Sequence, residues 1–115
     1  MGKSRDELIA EGYCDSRGVI AGATVVSLPN FDSKYRGVLL FVKDNYLSFY
    51  KADMRGNIYE RVAIVEIAKM ENFVLKMGLL TQFLAFDYEG QHYEFTNVSA
   101  LKLLKKVLTE ERSKC

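Results

Sequence analysis

The 115 residues, 49% hydrophobic and 27% charged, fit one compact domain with its own core and exclude wholesale disorder. Sixteen basic and fifteen acidic side chains leave a net charge of +1, too even for a dedicated nucleic-acid binder. The two cysteines, Cys14 and Cys115, make neither a disulfide framework nor a metal cluster.

The chain begins with a short helix. Ser4 and Glu7 have the spacing of a capping box, Leu8 and Ile9 form a small apolar face, Gly12 suits the left-handed stop, and Tyr13 packs back. Strand-like text follows from Gly18 onward. Val19 to Leu28 is one run, closed by Pro29-Asn30. Val38 to Lys43 and Tyr46 to Tyr50 are two more, joined across Asp44-Asn45, which reads as a hairpin turn. Asp53 to Asn57 is a loop. After it Ile58, Glu60 and Val62 are expected on one face and Tyr59, Arg61 and Ala63 on the other. Residues 64–77 read as a strand ending near Ile67 and a second from about Lys69 to Met77. Thr81 to Tyr88 and Gln91 to Thr96 complete the strands, with Tyr93 and Phe95 inward and His92 and Glu94 outward. The final element is an amphipathic helix capped by Asn97 or Ser99. Ala100, Leu101, Leu103, Leu104, Val107 and Leu108 are expected to form its apolar stripe, with Lys102, Lys105 and Lys106 largely opposite. Its lysines lead and its glutamates trail, against the macrodipole, so packing must hold it.

The expected fold is mainly β with flanking helices: seven antiparallel strands in a barrel or sandwich, capped by the C-terminal helix. One domain spans 1–115, with an N-terminal arm over 1–17, strands over 18–96 and the capping helix over 97–112. The order of elements, and the stretch Tyr35-Arg36-Gly37 through Phe49-Tyr50, resemble the pleckstrin-homology-like superfold. The nearest flavour is that of GRAM and bacterial PH-like domains. The chain has no Trp, whereas many eukaryotic members carry one in the last helix. The resemblance implies a non-catalytic binding or scaffolding module.

Catalytic and cofactor motifs are sparse. His92 is the lone histidine and shares no local signature with Cys14. No Cys-x-x-Cys, His-x-x-x-His, calcium loop or Gly-x-Gly-x-x-Gly occurs. Neither an enzyme nor a cofactor is expected. Charge is segmented instead: residues 1–33 carry −2, 34–61 carry +3, 62–98 carry −3 and 99–115 carry +3. In a meander the loops after the first and third strands share an end, so Lys34, Arg36, Lys51 and Arg55 are expected to meet there. They would contact an acidic protein surface or an anionic lipid headgroup, with Phe31 and Tyr35 as apolar anchors. Lys34-Tyr35-Arg36 looks like the second half of the basic pattern of phosphoinositide-binding members, while Val19 to Leu28 lacks the first half. Phe49, Tyr50, Phe83, Phe86, Tyr93 and Phe95 are expected in the core, and the alternative is a carrier of a small apolar ligand within an interior lined by such aromatics. Edge strands offer a route to a homo-oligomer.

No run approaches the ~20 apolar residues of a membrane span. The N-terminus is polar, and Asp6 stands where myristoylation requires Ser or Thr. The expected location is cytoplasmic, with free thiols, and peripheral membrane contact is open.

Overall fold

The computed structural model describes residues 3–29, 31, 37–53, 55, 57–78 and 82–113. Helix α1 (Arg5–Ala10) precedes strands β1 (Ile20–Ser27), β2 (Gly37–Lys43), β3 (Tyr46–Ala52) and β4 (Ile58–Glu66). A 3-10 turn (Ile67–Lys69) leads to β5 (Glu71–Met77), β6 (Gln82–Tyr88), β7 (Gln91–Thr96) and helix α2 (Leu101–Arg112). The seven strands form one antiparallel sheet in the order β4-β3-β2-β1-β7-β6-β5.

That order alone does not close a core; the side chains do. In a flat sheet three strand spacings, roughly 14 Å, would separate β3 from β7. Yet Phe49 of β3 stacks on Phe95 of β7 with ring centroids 5.0 Å apart. Phe49 also lies 6.3 Å from Phe86 of β6, and Phe86 stacks on Tyr93 at 4.8 Å. The sheet therefore wraps around these rings. Bulges in the β1–β7, β3–β4 and β5–β6 pairings supply local bending. The α2 residues Leu101, Leu104, Val107 and Leu108 join the same buried cluster, and α2 packs on the 3-10 turn, β1 and β5.

A second apolar cluster lies on the outer face of β2 and β3. Phe41 and Tyr50 meet Tyr13 of the N-terminal arm at 5.4 and 5.1 Å, with Leu8 and Cys14 buried beside them. The arm is shaped for this duty. Its helix starts with the expected capping box. It stops with Gly12 at φ 84, where Gly12 N–H donates to Ile9 O and Tyr13 N–H to Leu8 O. This double bond pattern turns Tyr13 back onto Leu8.

Three segments of the chain meet at Arg17. Its guanidinium donates to Asp15 at 2.6 Å, to Glu111 of α2 at 3.1 Å and to the Asp44 carbonyl at 2.7 Å. The Asp44 N–H in turn donates to Asp15 at 2.8 Å. The Arg17 bonds hold the Asp15 carboxyl down at about 2. The hub joins the arm, the β2–β3 turn and the end of α2.

Three local expectations differ. The alternation of β4 breaks: Arg61 pairs with Tyr50 and Ala63 with Phe49, so Val62 and Ala63 both face the main core. Tyr50 belongs to the outer cluster, not the interior. Neither Asn97 nor Ser99 caps α2. Its N-cap is Ala100 at φ 51, without a side-chain bond, because the Ser99 hydroxyl accepts the Gly22 N–H at 2.7 Å.

Replacing Phe49 by Ala should cost about 3–5 kcal/mol in chemical denaturation, since it empties the centre of the ring stack. Arg17→Met should cost about 2–4 kcal/mol, because it removes the charged hydrogen bonds that tie Asp15, the Asp44 carbonyl and Glu111 together. Urea titration of the two variants reads both effects.

Candidate binding surface

The β3–β4 loop is organised by one carboxylate. Asp53 Oδ1 accepts the backbone N–H groups of Arg55 and Asn57, each at 2.9 Å. Oδ2 accepts the Asn57 amide at 2.9 Å and the Tyr59 hydroxyl at 2.8 Å. The Asp53 N–H closes the loop onto Asn57 O at 3.2 Å. The Asn57 amide and the other donors lower the Asp53 carboxyl to about 2, so it stays ionised. Asp and Asn are residues that bend a chain through such side-chain bonds. Here the bonds place Tyr59, 54% exposed, beside a cleft of about 320 Å³ lined by Lys51, Ala52, Asp53, Tyr59 and Glu60.

The register places this loop next to the root of the β1–β2 loop. Val38 pairs with Lys51, and Gly37 pairs with Thr24. A Cβ at Gly37 would lie 3.8 Å from the Ala52 carbonyl, an ordinary van der Waals contact between the start of β2 and the end of β3. Lys51 is half-buried and Arg55 exposed, and neither forms an ion pair among the described residues. Lys34, Tyr35 and Arg36 lie outside the described residues. Phe31 differs from an exposed anchor: its half-buried ring packs on the main core, and its N–H donates to Leu28 O at 3.2 Å.

The other root of the β1–β2 loop adjoins β7, where Ser27 pairs with Glu94 and its hydroxyl donates to His92 O at 3.2 Å. The β6–β7 turn, Glu89-Gly90 with φ 51 and 77, has the geometry of a primed hairpin turn. It carries an acidic cluster. His92 Nδ1 lies 2.8 Å from Asp87 and Nε2 lies 3.0 Å from Glu94, while Asn72 donates to Asp87 at 2.7 Å. The bonds to Glu94 and then Asp87 raise the His92 pKa, and the His92 bond lowers that of Asp87. The loop end is thus cationic around Lys51 and Arg55 and anionic around the β6–β7 turn.

Cys14 is buried against the arm, and burial raises its thiol pKa, which disfavours the thiolate. No group of three or more His, Cys, Asp or Glu side chains suited to a metal ion occurs among the described residues. No helix among them is long and apolar enough to cross a membrane. The main features that the residue pattern did not disclose are Tyr59 and Glu60 as cleft walls and Arg17 as a hub. An Asp followed by two turn residues was the only local signal for the Asp53 clamp, and Arg17 had none. No family model, curated protein or solved structure matches the chain.

His92 gives a pH signature. Its folded pKa is raised, so its contribution to stability is complete below the unfolded value of 6.5 and fades as pH rises through the folded value. The side chain is 52% exposed, so solvent screening limits the effect to a few tenths of a kcal/mol. Wild-type stability should fall from mildly acidic to mildly alkaline pH by that amount more than His92→Gln, read by urea titration at each pH.

Proposed function

We propose that the chain is a non-catalytic binding module of PH-like, GRAM-like type whose loop end receives an acidic segment of a protein partner. The observation that carries this reading is the pair Lys51 and Arg55. Lys51 lines the cleft from the end of β3 and Arg55 follows in the loop that Asp53 holds in shape, and neither side chain has a carboxylate partner among the described residues. A preformed loop loses less freedom on binding than one that must be ordered. Tyr59 supplies an exposed amphipathic ring, the residue type that anchors protein interfaces.

An acidic peptide fits this end better than a phosphorylated headgroup. Asp53 remains ionised in the cleft wall, Glu60 stands beside it, and Asp87, Glu89 and Glu94 flank the neighbouring turn. Such carboxylates repel a compact, multiply charged phosphate. An extended peptide can lay its acids on Lys51 and Arg55 and its basic residues on the β6–β7 side. The carrier reading requires interior space, whereas Phe49, Phe86, Tyr93 and Phe95 occupy the interior against one another.

An array of acidic and neutral peptides, read by fluorescence anisotropy, tests the module. Acidic peptides should bind in a salt-sensitive way, and K51E/R55E should weaken them about tenfold or more with an unchanged melting temperature. Equal binding of neutral peptides, or indifference to K51E/R55E, overturns the reading. Preference for inositol phosphates over acidic peptides assigns the loop end to a headgroup instead.

A further inference from the structure

The solvent side of α2 takes no part in holding the fold. Leu101, Leu104, Val107 and Leu108 face the main core, Glu111 turns in to Arg17, and Arg112 lies over the Phe73 ring at 4.8 Å. Outward stand Lys102, Lys105 and Lys106, all exposed, at spacings that set them on one arc of the helix. None of them forms an ion pair among the described residues.

The surroundings reinforce the sign. Met77 borders the start of α2 with Leu101, and Phe73 lies under Arg112 at its end, so β5 runs antiparallel beside the helix. On β5 and the 3-10 turn the exposed cations are Lys76 and Lys69, the latter 3.6 Å from Glu66. The exposed carboxylates of α2 and β5 are Glu110 and Glu71, both at the far end of the helix. The first turn of α2 holds no acid. Lys102 there opposes the positive end of the helix dipole, and no ion pair among the described residues gives Lys105 or Lys106 a part in the fold.

We propose that this lysine face docks on an anionic lipid bilayer. A bilayer fits it better than a protein or a nucleic acid. The lysine arc is rimmed by two exposed apolar side chains, Leu103 at 41% and Met77 at 47%, which a headgroup–acyl boundary accepts. Long lysine stems lie along such a boundary while the ammonium reaches phosphate. The arc presents neither the aromatic anchors of a protein hot spot nor the stacking rings of a nucleic-acid platform. The face is separate from the loop cleft: α2 follows the C-terminal end of β7, and the β6–β7 turn lies at the other end of that strand.

Co-sedimentation of the full chain with vesicles tests the assignment. Vesicles of phosphatidylcholine with phosphatidylserine should bind at low salt and release at high salt, and pure phosphatidylcholine should not bind. K102E/K105E/K106E should lose about a hundredfold in binding, about fivefold per lysine. K102Q/K105Q/K106Q, which sets no like charges on successive turns of the helix, should lose binding while keeping the wild-type melting temperature, and that pairing separates lost docking from lost folding. K51E/R55E should leave vesicle binding intact. Absence of binding to phosphatidylserine vesicles at low salt overturns the proposal. So does loss of binding with K51E/R55E alone, or capture of polyglutamate without capture of vesicles.

Discussion

The stack of Phe49 on Phe95 is the constraint from which the rest of the architecture follows. A sheet that brings its third strand onto its seventh must curl, and its two edges, β4 and β5, are then joined by nothing longer than a 3-10 turn. The opening left beside that turn exposes the rings unless something apolar enters it. The stripe of α2 is that object, which explains a helix whose end charges run the wrong way. Curling also leaves an apolar outer face, because Phe41 and Tyr50 point away from the enclosed side. Leu8 and Tyr13 cover it, and Arg17 ties their arm to α2 and to the β2–β3 turn. Interior stack, helix and arm are successive solutions to one geometric demand.

Much of this was legible along the chain because period and punctuation are local. The hairpin of β2 and β3, the alternation of Tyr93 and Phe95 in β7, and the cap and stop of α1 all follow from neighbouring residues. Other elements answered to distant partners. The β4 alternation failed because bulges opposite Phe49 and Tyr50 let Val62 and Ala63 share a face. Ser99 has the chemistry of a helix cap, but the Gly22 N–H, 77 residues away in sequence, claims its hydroxyl. Tyr50 looks like any strand aromatic until the arm packs over it. Arg17 reads as a loop cation, and nothing near it announces Glu111.

The loop end was legible to a similar depth. Meander topology places the loops after β1 and β3 side by side, and the pairing of Val38 with Lys51 realises that proximity. Side-chain detail did not follow from topology. Phe31 turns onto the core, since an apolar ring beside Leu28 gains more from burial than from solvent. Asp53 counts as a negative charge in sequence bookkeeping, yet its four donors make it a structural pin as well as a charge. A pinned carboxylate beside Lys51 alters what the cleft accepts. In the proposed reading it would disfavour a dense phosphate and suit a ligand whose own charges alternate.

Near-neutral total charge therefore hides a polarised surface. Acids gather at the β6–β7 turn, and lysines without an ion-pair partner among the described residues gather on α2 beyond the opposite end of β7. Separated charge of this kind has a consequence that a mixed surface lacks. An anionic plane repels the acidic turn and attracts the lysine arc, so approach to a bilayer is oriented before contact is made. In the proposed orientation the helix would face lipid and the acidic turn would be directed away from it. Lys51 and Arg55 share the loop end with that turn, so the two proposed ligands, bilayer and acidic peptide, would not compete for the same cations. The covering of the wrapped sheet by α2 produces this division: it commits the apolar stripe inward and leaves only the lysine side to meet a surface.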